Sequence, residues 1–307
     1  MRDFKLLYKD FILFVKSDFK LVPYLLTLLI IVSSILFMYC GHGLKLLGGS
    51  VLNHYIMYLL LYIVVLLVNI CFRKTFNDLL NPLLYIKVFI LMGLLAVSDA
   101  FSWKDYLYFE NMPALEQSYI FKVLWRSRNV MFVLPVIVIM RVFMDRQVEG
   151  LYGLTLKNKH VKAYLILFCM VLPFLIYASF TPDFQSYYPN YKPWKWGEVF
   201  SRPVWLNTII FETVYMFDFV MVELFFRGVL VIGMAKLLGR KAVLPMITIY
   251  VALHFGKPVL ETISAMFGGY ALGALAYQTK HIWGGVIIHM GIALTIELLG
   301  FLQYYFI

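Results

Sequence analysis

Charge is scarce in this sequence. Asp, Glu, Lys and Arg make up 14% of 307 residues against 62% hydrophobic residues, and the mean hydropathy is +0.81. A soluble domain of that composition would expose large apolar patches, so that class is excluded. Cysteine is scarce too. Cys40, Cys71 and Cys169 fall in or beside apolar runs with no paired or metal-ligand spacing, which argues against a disulfide framework. No HExxH helix, tandem repeat or low-complexity tract is present. The first apolar run is full length, follows a charge-rich stretch of twenty residues and lacks a small-residue cleavage site, so it reads as a retained anchor and not a signal peptide. The net charge of +10 comes from short basic clusters between apolar runs, where they act as topology signals, and nucleic acid is not an expected partner.

What the chain has in abundance is span-length apolar sequence. A membrane helix needs about 20 mostly apolar residues, and residues 21–40, 51–72, 163–180 and 282–306 meet that directly. Residues 82–101 carry Lys87, and 129–144 is short. Residues 206–238 would form a helix of about 50 Å, which must tilt, protrude or bend near Gly228 or Gly233. Residues 242–255 and 259–278 are separated by Gly256-Lys257-Pro258, a helix breaker. The expected fold is an all-α polytopic transmembrane helix bundle of eight or nine spans.

With nine spans, segments 1–20, 72–81, 141–162, 236–241 and 278–281 carry sixteen basic residues, and the opposite set carries nine, among them Lys122, Arg126, Arg128 and Lys257. The positive-inside rule then puts the N-terminus in the cytoplasm of a multi-pass protein of the plasma (inner) membrane. The outer loop 181–204, with Tyr187, Tyr188, Tyr191, Trp194 and Trp196, reads as an aromatic belt at the headgroup level or as a substrate-handling loop.

The chain divides near residue 160. Residues 1–160 read as an N-terminal transmembrane scaffold with Lys87 as its main ionisable group within a span. Residues 161–307 hold Glu212, Asp218, Glu223, Arg227, His254, Glu261, His289 and Glu297. Ionisable groups in hydrocarbon cost about 2.5–3.5 kcal/mol each on insertion scales, so they face protein or a wet cavity and mark function. On a helix Glu212 and Glu223 differ by about 20° around the axis and Arg227 lies about 40° from Glu223, whereas Asp218 points about 140° away. Two readings of Glu223 and Arg227 stand open: a buried pair that positions helices, or an arginine that fixes a carboxylate acting as general base. Tyr250 precedes His254 by one turn on the same face. Glu261 reads as a first-turn acid favoured by the helix dipole, and the small residues Gly284, Gly285 and Gly291 permit close helix approach near His289. From the span ends, His254 is expected toward the outer side and His289 toward the cytoplasmic side.

In order, Val222-Glu223-Leu224-Phe225-Phe226-Arg227-Gly228, then Tyr250-Val251-Ala252-Leu253-His254, then His289-Met290-Gly291-Ile292-Ala293 resemble the core of the CPBP family of intramembrane proteases, which includes the CAAX prenyl endopeptidases and the bacterial Abi proteins. The likeness covers roughly residues 206–307, with Gly150-Leu151-Tyr152-Gly153-Leu154 similar to a short cytosolic lead-in. It implies an intramembrane endopeptidase core over 161–307, with Glu223, His254, His289, Arg227 and Asp218 as site residues. A carboxylate and His254 would polarise water toward a peptide carbonyl of a membrane-associated peptide or protein, and His289 would stabilise the oxyanion. Two positions depart from the family pattern. Val222 stands where the first of two glutamates is expected, the one usually assigned to water activation, and Ala293 where asparagine would help hold the oxyanion. Asp218, one turn below Val222, is the candidate to compensate.

The resemblance also brings the name metalloprotease, with Glu223, His254 and His289 as candidate ligands should zinc be the cofactor; they would have to converge from three helices. Two other readings remain: a catalytically degenerate member acting as a membrane scaffold or bacteriocin-immunity protein, and a proton-coupled transporter, since buried acids, arginine and histidines also relay protons.

Overall fold

The structure is a computed structural model that describes residues 2–41, 43–155 and 160–306. Among these residues it is a helix bundle without strands, apart from two isolated bridges. An amphipathic helix, α1 (Arg2–Asp18), buries Leu7 and Phe14. It is followed by α2 (Leu21–Cys40), α3 (Val51–Arg73), α4 (Pro82–Ala100), α5 (Ala114–Phe143), α6 (Val161–Ser179), α7 (Val204–Glu223), α8 (Val243–Ala252), α9 (Val259–Thr279) and α10 (Trp283–Phe306). Seven of these, α2 to α6 with α9 and α10, are long and apolar enough to cross a membrane. All nine expected spans are helical. Helix α7 is not in the apolar set because it carries Glu212, Asp218 and Glu223. Helix α8 is only ten residues long, but it runs antiparallel to α9, with Tyr250 against Gly269 and Met246 against Gly273.

Two expectations change and one that was left open is narrowed. The short run 129–144 is the second half of α5, which begins at Ala114 and passes through a π-helical turn at Asn129–Val133. Lys122, Arg126 and Arg128, read as loop residues, therefore lie on a helix. Their region is too polar to register as apolar sequence, and tertiary bonds hold it: Arg128 donates to the carbonyls of Asp99 and Phe101, and Arg126 to Asn190. The long span 206–238, expected to tilt, protrude or bend near Gly228 or Gly233, takes the last course. After Glu223 its winding widens into a π segment, Leu224–Gly233, and the chain turns at Met234. The aromatic loop is not a belt at the surface. Tyr188 and Tyr191 are buried, Tyr191 stacks on Trp196 and Phe211, and Trp194 stacks on Tyr304 of α10. Of the basic clusters, Lys157 and Lys159 lie outside the described residues.

The core that positions the site runs through both halves of the chain, joining Tyr58, Tyr62 and Leu91 to Phe226, Val229, Ile249 and Tyr250. The Gly150–Leu154 segment folds under the π segment. Tyr152 is fully buried, its hydroxyl donates to Asp145, and Gly228 and Gly233 leave the room it occupies, since a Cβ on Gly233 would meet the Tyr152 ring at 2.6 Å. Asp145 also takes the buried Lys87 ammonium at 2.5 Å, so this lysine is paired and tied to Gly233 through its carbonyl.

Candidate active site

Glu223 ends α7 on the side facing α10, and its carboxylate is completely buried. Oε1 accepts from Arg227 Nη1 at 2.8 Å and from His289 Nδ1 at 3.0 Å. Oε2 lies against the Cα of Gly285, where a Cβ would come within 1.9 Å of it. A glycine is required there because helix and carboxylate touch. Arg227 is buried as well, and its guanidinium lies on the face of Tyr250, 4.2 Å from the ring centroid, which offsets part of its desolvation.

Tyr250 is the centre of the arrangement. Its ring lies 4.8 Å from the His254 ring and 6.1 Å from the His289 ring, centroid to centroid, and its hydroxyl is 3.5 Å from His289 Nε2. The two histidines thus gather on one side chain although they come from different segments. Helix α8 stops at Ala252, His254 falls in the turn beyond it, and its Nδ1 bonds back to the Tyr250 carbonyl at 2.7 Å. Tyrosine length spans the remaining gap to α10. The turn is itself pinned, because the Tyr39 hydroxyl from α2 bonds the Lys257 carbonyl at 2.7 Å and Thr262 Oγ1 at 2.7 Å, while Thr262 bonds the His254 carbonyl.

His254 Nε2 faces a second carboxylate, Glu261 Oε1, at 3.8 Å. Glu261 is in the first turn of α9, as its dipole reading expects. It also takes the Lys257 ammonium on Oε1 at 2.9 Å and the Tyr188 hydroxyl on Oε2 at 2.5 Å. Burial, with the Glu261 carboxylate beside it, pushes the Tyr188 hydroxyl well above its ordinary pKa, so it remains a proton donor. Tyr188 and Lys257 were assigned in the sequence to a belt and to a loop. No local signal marks their part here, because both reach Glu261 across the tertiary fold.

Asp218 is not brought to this site. It turns to α5, where Asn129 Nδ2 donates to it at 2.6 Å and Arg126 lies at 4.0 Å, which corrects the expectation that it stands in for Val222. The 140° offset from Glu223 on α7 is the physical reason. Val222 packs against the apolar core, and Ala293 is buried beside Phe219 and Met290. Glu297 is capped onto the backbone N–H of Asn190, and both oxygens of Glu212 are buried with no hydrogen bond among the described residues. Glu223, His254 and His289 do not form a zinc-type donor set: Glu223 and His289 bond each other and do not turn their lone pairs to a common point, and His254 faces Glu261. Among the described residues no group of three or more His, Cys, Asp and Glu is placed to hold a metal.

Residues 203–295 match the family model for type II CAAX prenyl endopeptidases, described as Rce1-like. This stretch of the chain is Rce1-like. The match contains Glu223, Arg227, Tyr250, His254, Glu261 and His289, the residues that the fold brings together, and it agrees with the CPBP resemblance of the motifs. No curated protein and no solved structure matches the chain. The likeness to CAAX-type proteases is that of this segment, in a chain whose described residues hold seven helices long and apolar enough to cross a membrane.

Proposed function

We propose that this chain is an intramembrane endopeptidase that hydrolyses a peptide bond of a membrane-associated peptide or protein. The observation that supports it is the meeting of His254 and His289 on Tyr250, inside the Rce1-like segment. His254 donates from Nδ1 to a backbone carbonyl, which leaves a lone pair on Nε2. Glu261 Oε1 opposite is also an acceptor. A water placed between them gives one hydrogen to each, which orients its oxygen lone pairs outward. The water proton passes to Nε2 as the oxygen adds to the peptide carbonyl carbon, and the carbonyl π electrons move to its oxygen. The Tyr250 hydroxyl donates to the oxygen that gains charge, and His289, whose Nδ1 is held by Glu223 and Arg227, positions that hydroxyl through Nε2. Collapse expels the amine, which takes the proton back from Nε2. In this scheme Glu223 is a positioning residue. The protein lies in the plasma (inner) membrane with its N-terminus in the cytoplasm.

The test is cleavage of a membrane-anchored peptide by the protein in liposomes. His254→Ala, His289→Ala and Glu261→Gln should each lower turnover by about 100-fold or more with the protein still inserted; unchanged turnover in both histidine variants defeats the reading. Specific features favour a second reading, a catalytically degenerate scaffold or immunity protein. Val222 and Ala293 are apolar where the family has glutamate and asparagine, and Glu223 is sealed. Under it the wild type cleaves nothing, and Val222→Glu is the variant in which cleavage would emerge.

A further inference from the structure

At the end of the bundle away from Glu261, a cavity of about 450 Å³ opens where the end of α1, the end of α3, the turn before α8 and the end of α9 meet. That size is typical of small-ligand sites, roughly 300–1,000 Å³. Its walls carry five cations, Lys20, Arg73, Lys74, Arg240 and Lys241, and one carboxylate, Asp18. They come from segments far apart in sequence, so the fold gathers them. Asp18 stands 3.2 Å from Arg73, and Asp78, outside the cavity, bonds Lys241. Lys20, Lys74 and Arg240 form no ion pair with an acid among the described residues, and Arg73 Nη2 is buried with no hydrogen-bond partner. Cations at helix C-termini complement the helix dipole, which explains one charge at each helix end. It does not explain an open cavity walled by five of them, one with an unmet buried donor.

The rim is apolar. Phe72 lines the cavity and is 53% exposed, and Phe19 and Leu21, which flank Lys20, are 49% and 59% exposed. Tyr277 closes one side, and Lys280, which does not line the cavity, lies over its ring at 3.8 Å. We infer that this cavity binds the phosphate headgroup of an anionic glycerophospholipid. The cations and Arg73 Nη2 take the phosphate oxygens, and the acyl chains run along Phe19, Leu21 and Phe72 at the surface of the apolar helices. Basic pockets at helix ends on the cytoplasmic side are suited to such headgroups by charge, and guanidinium forks suit phosphate by geometry. The site is separate from the His254 and His289 cluster and stands whether or not that cluster is catalytic.

The experiment compares the full chain in nanodiscs of phosphatidylcholine alone and with phosphatidylglycerol, reading the thermal midpoint and the lipid retained in native mass spectrometry. Phosphatidylglycerol should raise the midpoint and remain bound. The triple variant Lys20→Gln, Lys74→Gln, Arg240→Gln should weaken retention by about 100-fold, while Lys5→Gln, Lys9→Gln, Lys16→Gln, which removes equal charge from the exposed side of α1, should leave it unchanged. Equal loss in both triples overturns the site in favour of diffuse surface charge. The same midpoint rise from inorganic phosphate in neutral discs overturns the lipid assignment and leaves a soluble phosphate as occupant. No preference for the anionic lipid in the wild type overturns the proposal outright.

Discussion

At the scale of single residues, the site depends on one absent side chain as much as on those present. Gly285 lets α10 come down on Glu223, and the carboxylate fills the place where a Cβ would be. Gly285→Ala should push Glu223 off His289 and Arg227, stranding a buried charge. Loss of one partner of a buried ionic group costs about 3–5 kcal/mol, so a lowered thermal midpoint is expected, together with reduced cleavage. An alanine variant with wild-type midpoint and turnover would show that Glu223 has room to move. Sequence made Gly285 legible only as a small residue near His289. Which atom it accommodates depends on the depth at which α7 meets α10, and no local pattern encodes that.

At the scale of elements, α7 works on two faces. One sends Glu223 to α10, and the other sends Asp218 to Asn129 and Arg126 of α5. Asp218→Asn removes the charge facing Arg126 while keeping a carbonyl for Asn129, so it should lower stability by about 1 kcal/mol and leave cleavage within about threefold of wild type. A cleavage-dead but stable Asp218→Asn protein would return Asp218 to the site against its placement here. The helical periodicity already pointed Asp218 away from Glu223, and the structure follows that angle; the expectation that it compensates for Val222 came from the one-turn spacing alone. The π segment after Glu223 was not legible, because its wider winding answers to Tyr152 packing under Gly228 and Gly233.

At the scale of the whole molecule, the basic segments around Lys20, Lys74 and Arg240 meet at one end, while Tyr188, Lys257 and Glu261 meet at the other. In a chain with Cys40, Cys71 and Cys169 replaced by serine, a Lys195→Cys variant should react with a membrane-impermeant maleimide in intact cells, and Lys74→Cys only after permeabilisation; the reverse pattern inverts the proposed orientation. The apolar runs by themselves determined the all-helical bundle and most of its spans, because lipid leaves the backbone no alternative that satisfies its own hydrogen bonds. The motif spacing likewise marked Glu223, Arg227, His254 and His289, since ionisable residues in apolar sequence stand out one by one. Beyond the Glu223–Arg227 and Tyr250–His254 pairs that helical spacing already gave, the tertiary structure decided their partners. Tyr250 as the common ring, Glu261 opposite His254, Tyr188 arriving from a loop and Asp218 turned to α5 all rest on contacts between segments distant in the chain. Those contacts are set by how helices pack, at distances of a few ångströms that no one-dimensional pattern carries.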